Sequence, residues 1–506
     1  MTGSMAEFKE EDPQKDLNNV SLTSEEQSEF ATKQEKVDKL ASEYGVNEKK
    51  LMWKLDLNVL PPFCLLYFLS FLDRVNISNA KLYGLSEDLN LTGNQYNTAL
   101  TLFFVPYVFF EVLSNYLIKF IKPHMYLSIC IFIFGGVSVG MGFVTNFGGL
   151  AACRFLIGIT EASTFPGLFY LLSSYYVTQE AQRRFSAFFS VTSLAGGASG
   201  AIAYRMNDLK GLHGLATWQW IFIVDGIVTA GCAIILYFTL ADFPEEARFL
   251  KDNERKFLKE KLEVHSGIPS GFETKNTISD ISRTFVDYLV WIPSLIYFGL
   301  IIPSYGYAYF SATIVKEMGY TAVSANQHSV YPWICAFGFS NIVSFASDKV
   351  GKRLPFVIAT CCTAIIGLAL ILGATHNPSA RYAGCFLAAS GLYTAMPLVV
   401  CWSTLNYGGH LRKSMGTAWQ IGFGNIGGII STFLFLQKDA PVYAPGLGTS
   451  IAFTVFSICL LLVYFVALFY VNRKKQKPDY KEKYASLAER ARILAGDKNP
   501  EFTYTY

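Results

Sequence analysis

Six ionisable residues interrupt stretches of the chain that are otherwise apolar, and all six lie in its first half. They are Asp73, Arg74, Glu111, Arg154, Glu161 and Asp225. A charge in apolar, membrane-like surroundings costs roughly 3 kcal/mol or more unless it meets a partner or a water-filled cavity. Residues of this kind are therefore candidates for binding an ion or for moving a proton.

The spacing of these residues predicts which of them share a helical face. Arg154 and Glu161 are seven residues apart, which is two turns of an α-helix. Arg74 lies on a polar stripe with Ser70 that suits a water-filled cavity. Its neighbour Asp73 shares a stripe with leucines instead, and we expect it to face another helix.

The residue types indicate the chemistry. An arginine stays charged and presents a fork of donors that matches a carboxylate. A carboxyl group at low dielectric can take up and release a proton once its arginine partner moves away. We therefore predict proton coupling by Asp73, Glu161 and Arg154, and binding of an anionic substrate by Arg74 and Arg154. A purely structural cluster of ion pairs is the alternative.

Two further carboxylates are interpreted separately. Glu111 is expected near one end of its apolar stretch, where it serves a gate or pairs with a cation in a loop. Asp225 is interpreted as structural.

The elements that must position these residues are membrane spans. Residues 1–56, 242–287 and 471–506 carry 53 of the 81 charged residues. The remaining 368 residues hold only 28 charges, whereas soluble proteins carry about one charge in four residues. This distribution excludes a soluble enzyme, and it leaves no basic face for binding nucleic acid.

Apolar stretches of about 20 residues, the length needed to cross a bilayer, occur twelve times. They cover approximately 57–78, 96–118, 125–144, 148–172, 184–204, 219–240, 288–311, 328–347, 355–374, 381–404, 415–436 and 448–470. An even number places both tails on one side, and the bias of Lys and Arg in short loops predicts that this side is cytoplasmic. The sequon at Asn90 then lies in the first external loop and is a predicted glycosylation site.

We therefore expect an all-α membrane protein with twelve transmembrane helices in two six-helix halves. The predicted order is a largely disordered cytoplasmic tail (1–56), the first half (57–240), a cytoplasmic linker (241–287), the second half (288–470) and a cytoplasmic tail (471–506). In the linker, Pro244 opens a predicted amphipathic helix that extends to Glu263. The ten cysteines lie in apolar runs without metal-site spacing, so no metal or cofactor is expected.

An internal repeat supports the two halves. Pro166 and Pro397 are 231 residues apart, as are Gly197 and Gly428. At the same offset, a glycine-rich run in span five matches another in span eleven. Two parallel repeats of six spans are typical of transporters that bind substrate between the halves and rock to give alternating access.

The repeat also ranks the polar residues of the second half, which has no charge in the middle of a span. Tyr305 corresponds to Asp73, and Asn425 lies among the glycines of span eleven. Both are predicted to bind substrate, together with Trp402 and Asn406. An aromatic ring facing Arg74 would suit a planar or apolar organic anion.

Six segments of the first half carry recognisable motifs: Leu72–Ala80, Gln95–Asn97, Phe104–Glu111, Arg154–Gly158, Glu161–Ala162 and Phe165–Gly167. Together they resemble the major facilitator superfamily, specifically its anion:cation symporter family. Within that family, the chain is similar to the fungal allantoate-permease branch, which carries nicotinate, pantothenate, biotin, allantoate or cysteine. The resemblance covers about Leu51 to Arg473.

The resemblance implies roles for particular residues. In related bacterial sugar-acid:proton symporters, the residues at the positions of Asp73, Arg74, Arg154 and Glu161 bind the anion and couple the proton. Ser347–Arg353 is similar to the loop motif between spans eight and nine of the superfamily, which implies gating roles for Asp348 and Arg353. The chain departs from the family at Asp225, where span six usually has a glutamate.

We therefore predict a proton-coupled importer of a small organic carboxylate, with nicotinate as the best candidate and pantothenate, allantoate or biotin as alternatives. The predicted partners are the anion, protons and the lipid bilayer, in a monomer located in the plasma membrane. A nutrient sensor that keeps a transporter fold is the alternative from another class. An intramembrane enzyme is not expected, because the P-loop and HExxH patterns are absent from the sequence.

Overall fold

The computed structural model describes residues 24–118, 120–266, 285–408, 410–486, 496–500 and 502–506. Every regular element in these ranges is a helix. Helix α1 (Ser24–Glu43) precedes the first half, which comprises α2 (Glu48–Leu82), α3 (Leu85–Asp88), α4 (Gln95–Leu117), α5 (Pro123–Met141), α6 (Phe147–Glu161), α7 (Thr164–Tyr175), α8 (Thr178–Met206) and α9 (Thr217–Thr239).

The linker contributes α10 (Asp252–Ser266). The second half comprises α11 (Tyr288–Lys316), α12 (Ala322–Val350), α13 (Leu354–Gly373), α14 (Pro378–Leu405), α15 (His410–Ser431) and α16 (Ala444–Lys475). A short helix, α17 (Pro478–Ala485), follows.

The helices coincide with the twelve predicted spans. Among the described residues, ten segments are long and apolar enough to cross a membrane, with α6 and α7 together forming one of them. The two remaining predicted spans coincide with α4 and α15. The predicted all-α architecture is therefore confirmed, and most helices extend a few residues beyond the apolar stretch that predicted them.

The two most extensive contacts between the halves are made by pairs of helices that the repeat relates to each other. Helix α8 packs against α12, and α4 packs against α15. Both contacts are close because glycines line them: a Cβ on Gly196 would lie 2.7 Å from the ring of Trp333, and one on Gly428 would lie 2.2 Å from the ring of Phe104. The two glycine-rich runs of the sequence thus form equivalent surfaces between the halves.

A similarly close approach fixes α4 against α6 within the first half. A Cβ on Gly158 would lie 2.3 Å from the carbonyl oxygen of Phe103 and 2.7 Å from Cγ of Pro106. We expect Gly158→Ala to lower the thermal unfolding midpoint in detergent, because overpacking costs about 1 to 3 kcal/mol. Gly136→Ala is the matched control, since nothing lies within 4 Å of a Cβ there. Equal midpoints for the two variants would contradict this packing.

The linker helix α10 joins the segment before the first span to the first half. Lys54 contacts Glu254 at 2.6 Å, and the buried Lys261 contacts Glu48 at 2.6 Å and Glu180 at 2.7 Å. All these residues lie on the side of the bundle that carries the tails and the linker, called here the tail side. The linker is thus anchored to the start of α2 and of α8.

Two details of the predicted tails and linker differ from the structure. The predicted linker helix begins at Asp252 and not at Pro244, because turns occupy the preceding residues. Residues 24–43 are helical although the tail was expected to be largely disordered, and α1 packs against α10. The rest of that prediction, for residues 1–23, lies outside the described residues, as does the segment 267–284.

Candidate functional site

Arg74 lies at the centre of the bundle and joins three helices from both halves. The residue is 4% exposed, because neighbouring helices cover every face of this part of α2. One guanidinium nitrogen donates to Glu161 at the end of α6, and the other donates to the hydroxyl of Tyr305 on α11. Ser70, one turn earlier on α2, also donates to Glu161. The guanidinium thus links a carboxylate of the first half to a phenol of the second.

Aromatic rings surround the same guanidinium. Its central carbon lies 5.0 Å from the ring centroid of Phe103, 5.1 Å from that of Tyr107 and 5.4 Å from that of Tyr305. Phe104 packs edge-on against Tyr305, with centroids 5.0 Å apart. Cation–π contacts of this kind stabilise a desolvated arginine, and they leave planar, apolar walls beside its charge.

Asp73 and Arg154 lie next to this centre and do not join it. Asp73 faces α5, as its stripe predicted, and accepts a hydrogen bond of 2.5 Å from Ser138. Arg154 is 1% exposed, and its Nε and one Nη have no hydrogen-bond partner among the residues described. It lies over the ring of Phe222 at 5.9 Å and does not form an ion pair with Glu161 in the described part of the chain.

A second polar cluster lies beside Arg154 and was missed by the sequence analysis. Asn76 donates to Asp225 at 2.9 Å, and Ser199 donates to Asn76 at 2.6 Å. Asp225 also interacts electrostatically with Asp73 and Arg154. The available signal was the spacing of Asp73 and Asn76, which places both on one face of α2. Asp225 therefore belongs to the charged interior of the first half.

Glu111 lies at the contact between the halves. It is 2% exposed, and neither carboxyl oxygen has a hydrogen-bond partner within the described ranges. A Cβ on Gly422 of α15 would lie 3.5 Å from its Cδ. Asn425, one turn farther along α15, is 4% exposed and interacts with the same carboxyl group. The structure thus brings Glu111 and Asn425 together, one helical turn after Tyr107 along α4.

Comparison with known families fits this arrangement of two halves around a buried charge. A model of the Major Facilitator Superfamily matches residues 63–432 of the chain. The chain belongs to this superfamily. It is therefore an integral membrane transporter and not an enzyme.

Two fungal transporters are similar to this facilitator over most of its length. The high-affinity nicotinic acid transporter of Saccharomyces cerevisiae is 30% identical, and the match covers 98% of this chain and 93% of that protein. The major facilitator-type transporter hxnP of Emericella nidulans is 31% identical, covering 90% of this chain and 93% of its own.

Solved structures share the fold of the facilitator at low identity. The proton:xylose symporter XylE matches with a TM-score of 0.62 and 14% identity over 81% of this chain and 96% of its own. A bacterial homologue of the human lysosomal transporter Spinster matches with a TM-score of 0.57 and 15% identity over the same shares. These matches show the fold alone.

The structure does not bring Trp402 and Asn406 of the facilitator to the centre. Both lie at the tail end of α14, where they donate to the backbone oxygen of Thr505 at 2.9 and 3.1 Å. Substrate binding at Arg74 is therefore not supported for either residue. Both residues lie at or beyond the end of the predicted span, close to the end of α14 at Leu405, and the tail residue that binds them there could not be placed from the sequence.

The tail residues that bind there belong to the described ranges 496–500 and 502–506, called here the tail segment. Asp497 is buried and contacts Arg412 at 2.6 Å. Burial raises the pKa of the Asp497 carboxyl, while the charge of Arg412 and a hydrogen bond from Tyr504 act in the opposite direction. This segment covers the tail ends of α14, α15 and α16.

The predicted gating residues, at the end of α12 and the start of α13, lie beside these tail residues. Arg353 forms an ion pair with Asp348, and its backbone N–H donates to Tyr506 at 2.9 Å. At the opposite end of the bundle, Asn90 is exposed and follows α3 with a φ of 49°. Its side chain is thus accessible, as a glycosylation site requires.

Proposed function

We propose that this facilitator is a proton-coupled importer of small organic carboxylates, with a nicotinate-type monocarboxylate as the best candidate. The observation that carries the proposal is the buried ion pair of Arg74 with Glu161, placed where the two halves meet. The similarity to a nicotinic acid transporter over nearly the whole chain supports the substrate class. On the same grounds, we propose that the chain belongs to the anion:cation symporter family and to its allantoate-permease branch.

In the proposed mechanism, the carboxylate of the substrate replaces that of Glu161 at Arg74. Protonation of Glu161 removes its charge and weakens its hold on the guanidinium, which can then bind the substrate. The hydroxyl of Tyr305 binds the same guanidinium from the other half, so closing of the halves around the anion is coupled to its capture. Deprotonation of Glu161 on the inner side restores the ion pair and releases the anion.

The walls of the site favour a flat ring. The rings of Phe103, Tyr107 and Tyr305 lie within 5.4 Å of the guanidinium, and aromatic groups stack well against such surfaces. A pyridine carboxylate places its charge on Arg74 and its ring among these side chains. Pantothenate, allantoate and biotin lack an aromatic ring, so we rank them below nicotinate.

Asp73 and Arg154 act as a second charged group in this proposal. Asp73 and Arg154 each interact electrostatically with Asp225. We therefore propose that Asp73 and Asp225 can share a proton that takes part in proton coupling. Glu111, Asp348 and Arg353 remain proposed gating residues. The proposed location is the plasma membrane, with cytoplasmic termini and a monomeric carrier.

A competition assay tests the substrate class. We expect uptake of radiolabelled nicotinate in a yeast strain that lacks its own nicotinate carrier and expresses this chain. Unlabelled nicotinate should compete more strongly than pantothenate, allantoate or biotin, and a protonophore should abolish accumulation. Strong competition by a non-aromatic acid would overturn the substrate assignment, and signalling without uptake would favour the nutrient sensor.

A further inference from the structure

A second cation, Lys81, lies on the same face of α2 as Arg74. The two residues are seven positions apart, which corresponds to two helical turns and a rise of about 10 Å. Lys81 lies toward the end of α2 that is opposite the tail side. A substrate that approaches from that end and follows this face of the helix reaches Lys81 before it reaches Arg74.

Both halves contribute to the surroundings of Lys81. Its Nζ lies 4.3 Å from the ring centroid of Tyr96 on α4 and 5.6 Å from that of Phe310 on α11. The side chain is partly exposed, and no carboxylate in the described ranges lies within 4.0 Å of its Nζ. The aromatic faces therefore stabilise an ammonium group whose charge is not neutralised by a direct ion pair.

Charged residues lie farther from the ammonium group. Glu87, Lys316 and Glu317 interact with Lys81 electrostatically, and none of the three forms an ion pair with it in the described part of the chain. These three groups change the electrostatic potential around Lys81, but they leave its ammonium group available to bind an anion.

Two buried hydroxyl groups without a hydrogen-bond partner in the described residues lie on these helices, one on α2 between the two cations and one on α11. Ser78 is one turn before Lys81 on the same helix, is 1% exposed, and its Oγ has no hydrogen-bond partner among the described residues. Thr313, on the neighbouring helix α11, is 5% exposed and also lacks a partner for its hydroxyl group in the described ranges. Buried hydroxyl groups usually have partners, so this strip has unused hydrogen-bonding capacity for a polar ligand.

We propose that Lys81, with Ser78, forms an outer binding site for carboxylate anions on the route to Arg74. This site rests on the proposed function, because its ligand is the transported anion. A lysine offers a compact, strongly hydrated charge, whereas Arg74 offers a fork of donors in a dry centre. The outer site therefore holds the anion briefly and increases its rate of arrival, and Arg74 provides the tight contact.

The test measures initial uptake of radiolabelled nicotinate at low and high ionic strength. At low ionic strength, Lys81→Gln should raise KM about tenfold, the lower range of electrostatic steering, with the maximal rate unchanged. The difference should shrink at high salt, because screening removes the attraction in the wild type. Lys81→Arg should retain a KM near that of the wild type. Lys210→Gln is the matched control, since it removes an exposed lysine from a loop at the same end of the bundle.

A KM of Lys81→Gln equal to that of the wild type at low salt would overturn the outer site. A lower maximal rate at unchanged KM and normal surface abundance would also overturn it, because it would indicate a structural role. Arg74→Lys is measured in parallel to separate the two proposals. If Arg74→Lys has normal affinity, the proposed function fails; if only Lys81→Gln is normal, the outer site alone fails.

Discussion

Arg74→Lys is expected to raise the KM for nicotinate roughly 100-fold, because it truncates a buried, hydrogen-bonded charge pair at a cost of about 3 kcal/mol. The arginine donates to Glu161 and to Tyr305 through two different nitrogens. A lysine keeps the charge but presents a single nitrogen on a flexible stem, so it cannot reproduce both contacts in that geometry. Uptake kinetics in the carrier-deficient yeast strain measure the change.

Surface abundance must be determined for this variant, since a buried arginine also contributes to packing. Arg205→Lys is the matched control, because Arg205 lies at the end of α8 with its side chain 77% exposed. Near-native KM in Arg74→Lys would remove Arg74 from the substrate site. Loss of uptake in both variants would indicate that expression, and not binding, limits the assay.

Glu161→Gln is expected to abolish uphill accumulation of substrate while exchange of substrate across the membrane continues. Glutamine imitates the protonated carboxyl group in shape and charge, so Arg74 stays available to the anion at every pH. The substrate-loaded carrier can therefore still change between its outward-open and inward-open conformations. Without a proton to release, however, the pH gradient no longer drives net uptake.

Two measurements in proteoliposomes separate these effects. Accumulation is measured with an inward pH gradient, and counterflow is measured at equal pH on both sides. Glu246→Gln is the matched control, since Glu246 lies in the linker and its side chain is 57% exposed. Proton-driven accumulation at the wild-type level in Glu161→Gln would disprove the coupling role of Glu161.

Much of the centre follows from the sequence because burial of charge is costly and the repeat is regular. The repeat, with an offset of 232 residues at this position, placed Tyr305 opposite Asp73, and the structure places the hydroxyl of Tyr305 on Arg74, the adjacent residue. Helical spacing assigned Asp73 to a neighbouring helix, where Ser138 binds it. These predictions used only periodicity within one helix and symmetry between halves.

Other features depend on contacts between elements that no local pattern specifies. Arg154 and Glu161 share a face of α6, yet Glu161 forms its ion pair with Arg74 of α2. Arg154 interacts with Asp225 instead. The tail residues 496–500 and 502–506 return to the ends of α14 to α16 through side chains such as Asp497, which contacts Arg412, and Tyr504, which contacts Lys475. Neither helical periodicity nor the repeat could place that segment, so Trp402 was misassigned.

The ion pair of Arg74 with Glu161 has a consequence for the fidelity of coupling under the proposed mechanism. If the unloaded carrier changed conformation with Glu161 protonated, the guanidinium of Arg74 would have no anionic partner in a dry interior. Breaking one partner of a buried pair costs about 3 to 5 kcal/mol, which lowers the population of that state by at least roughly 100-fold. In the unloaded carrier, the carboxylate of Glu161 therefore takes the place of the substrate carboxylate at Arg74. In the proposed mechanism, this ion pair suppresses proton leak without any additional gating element.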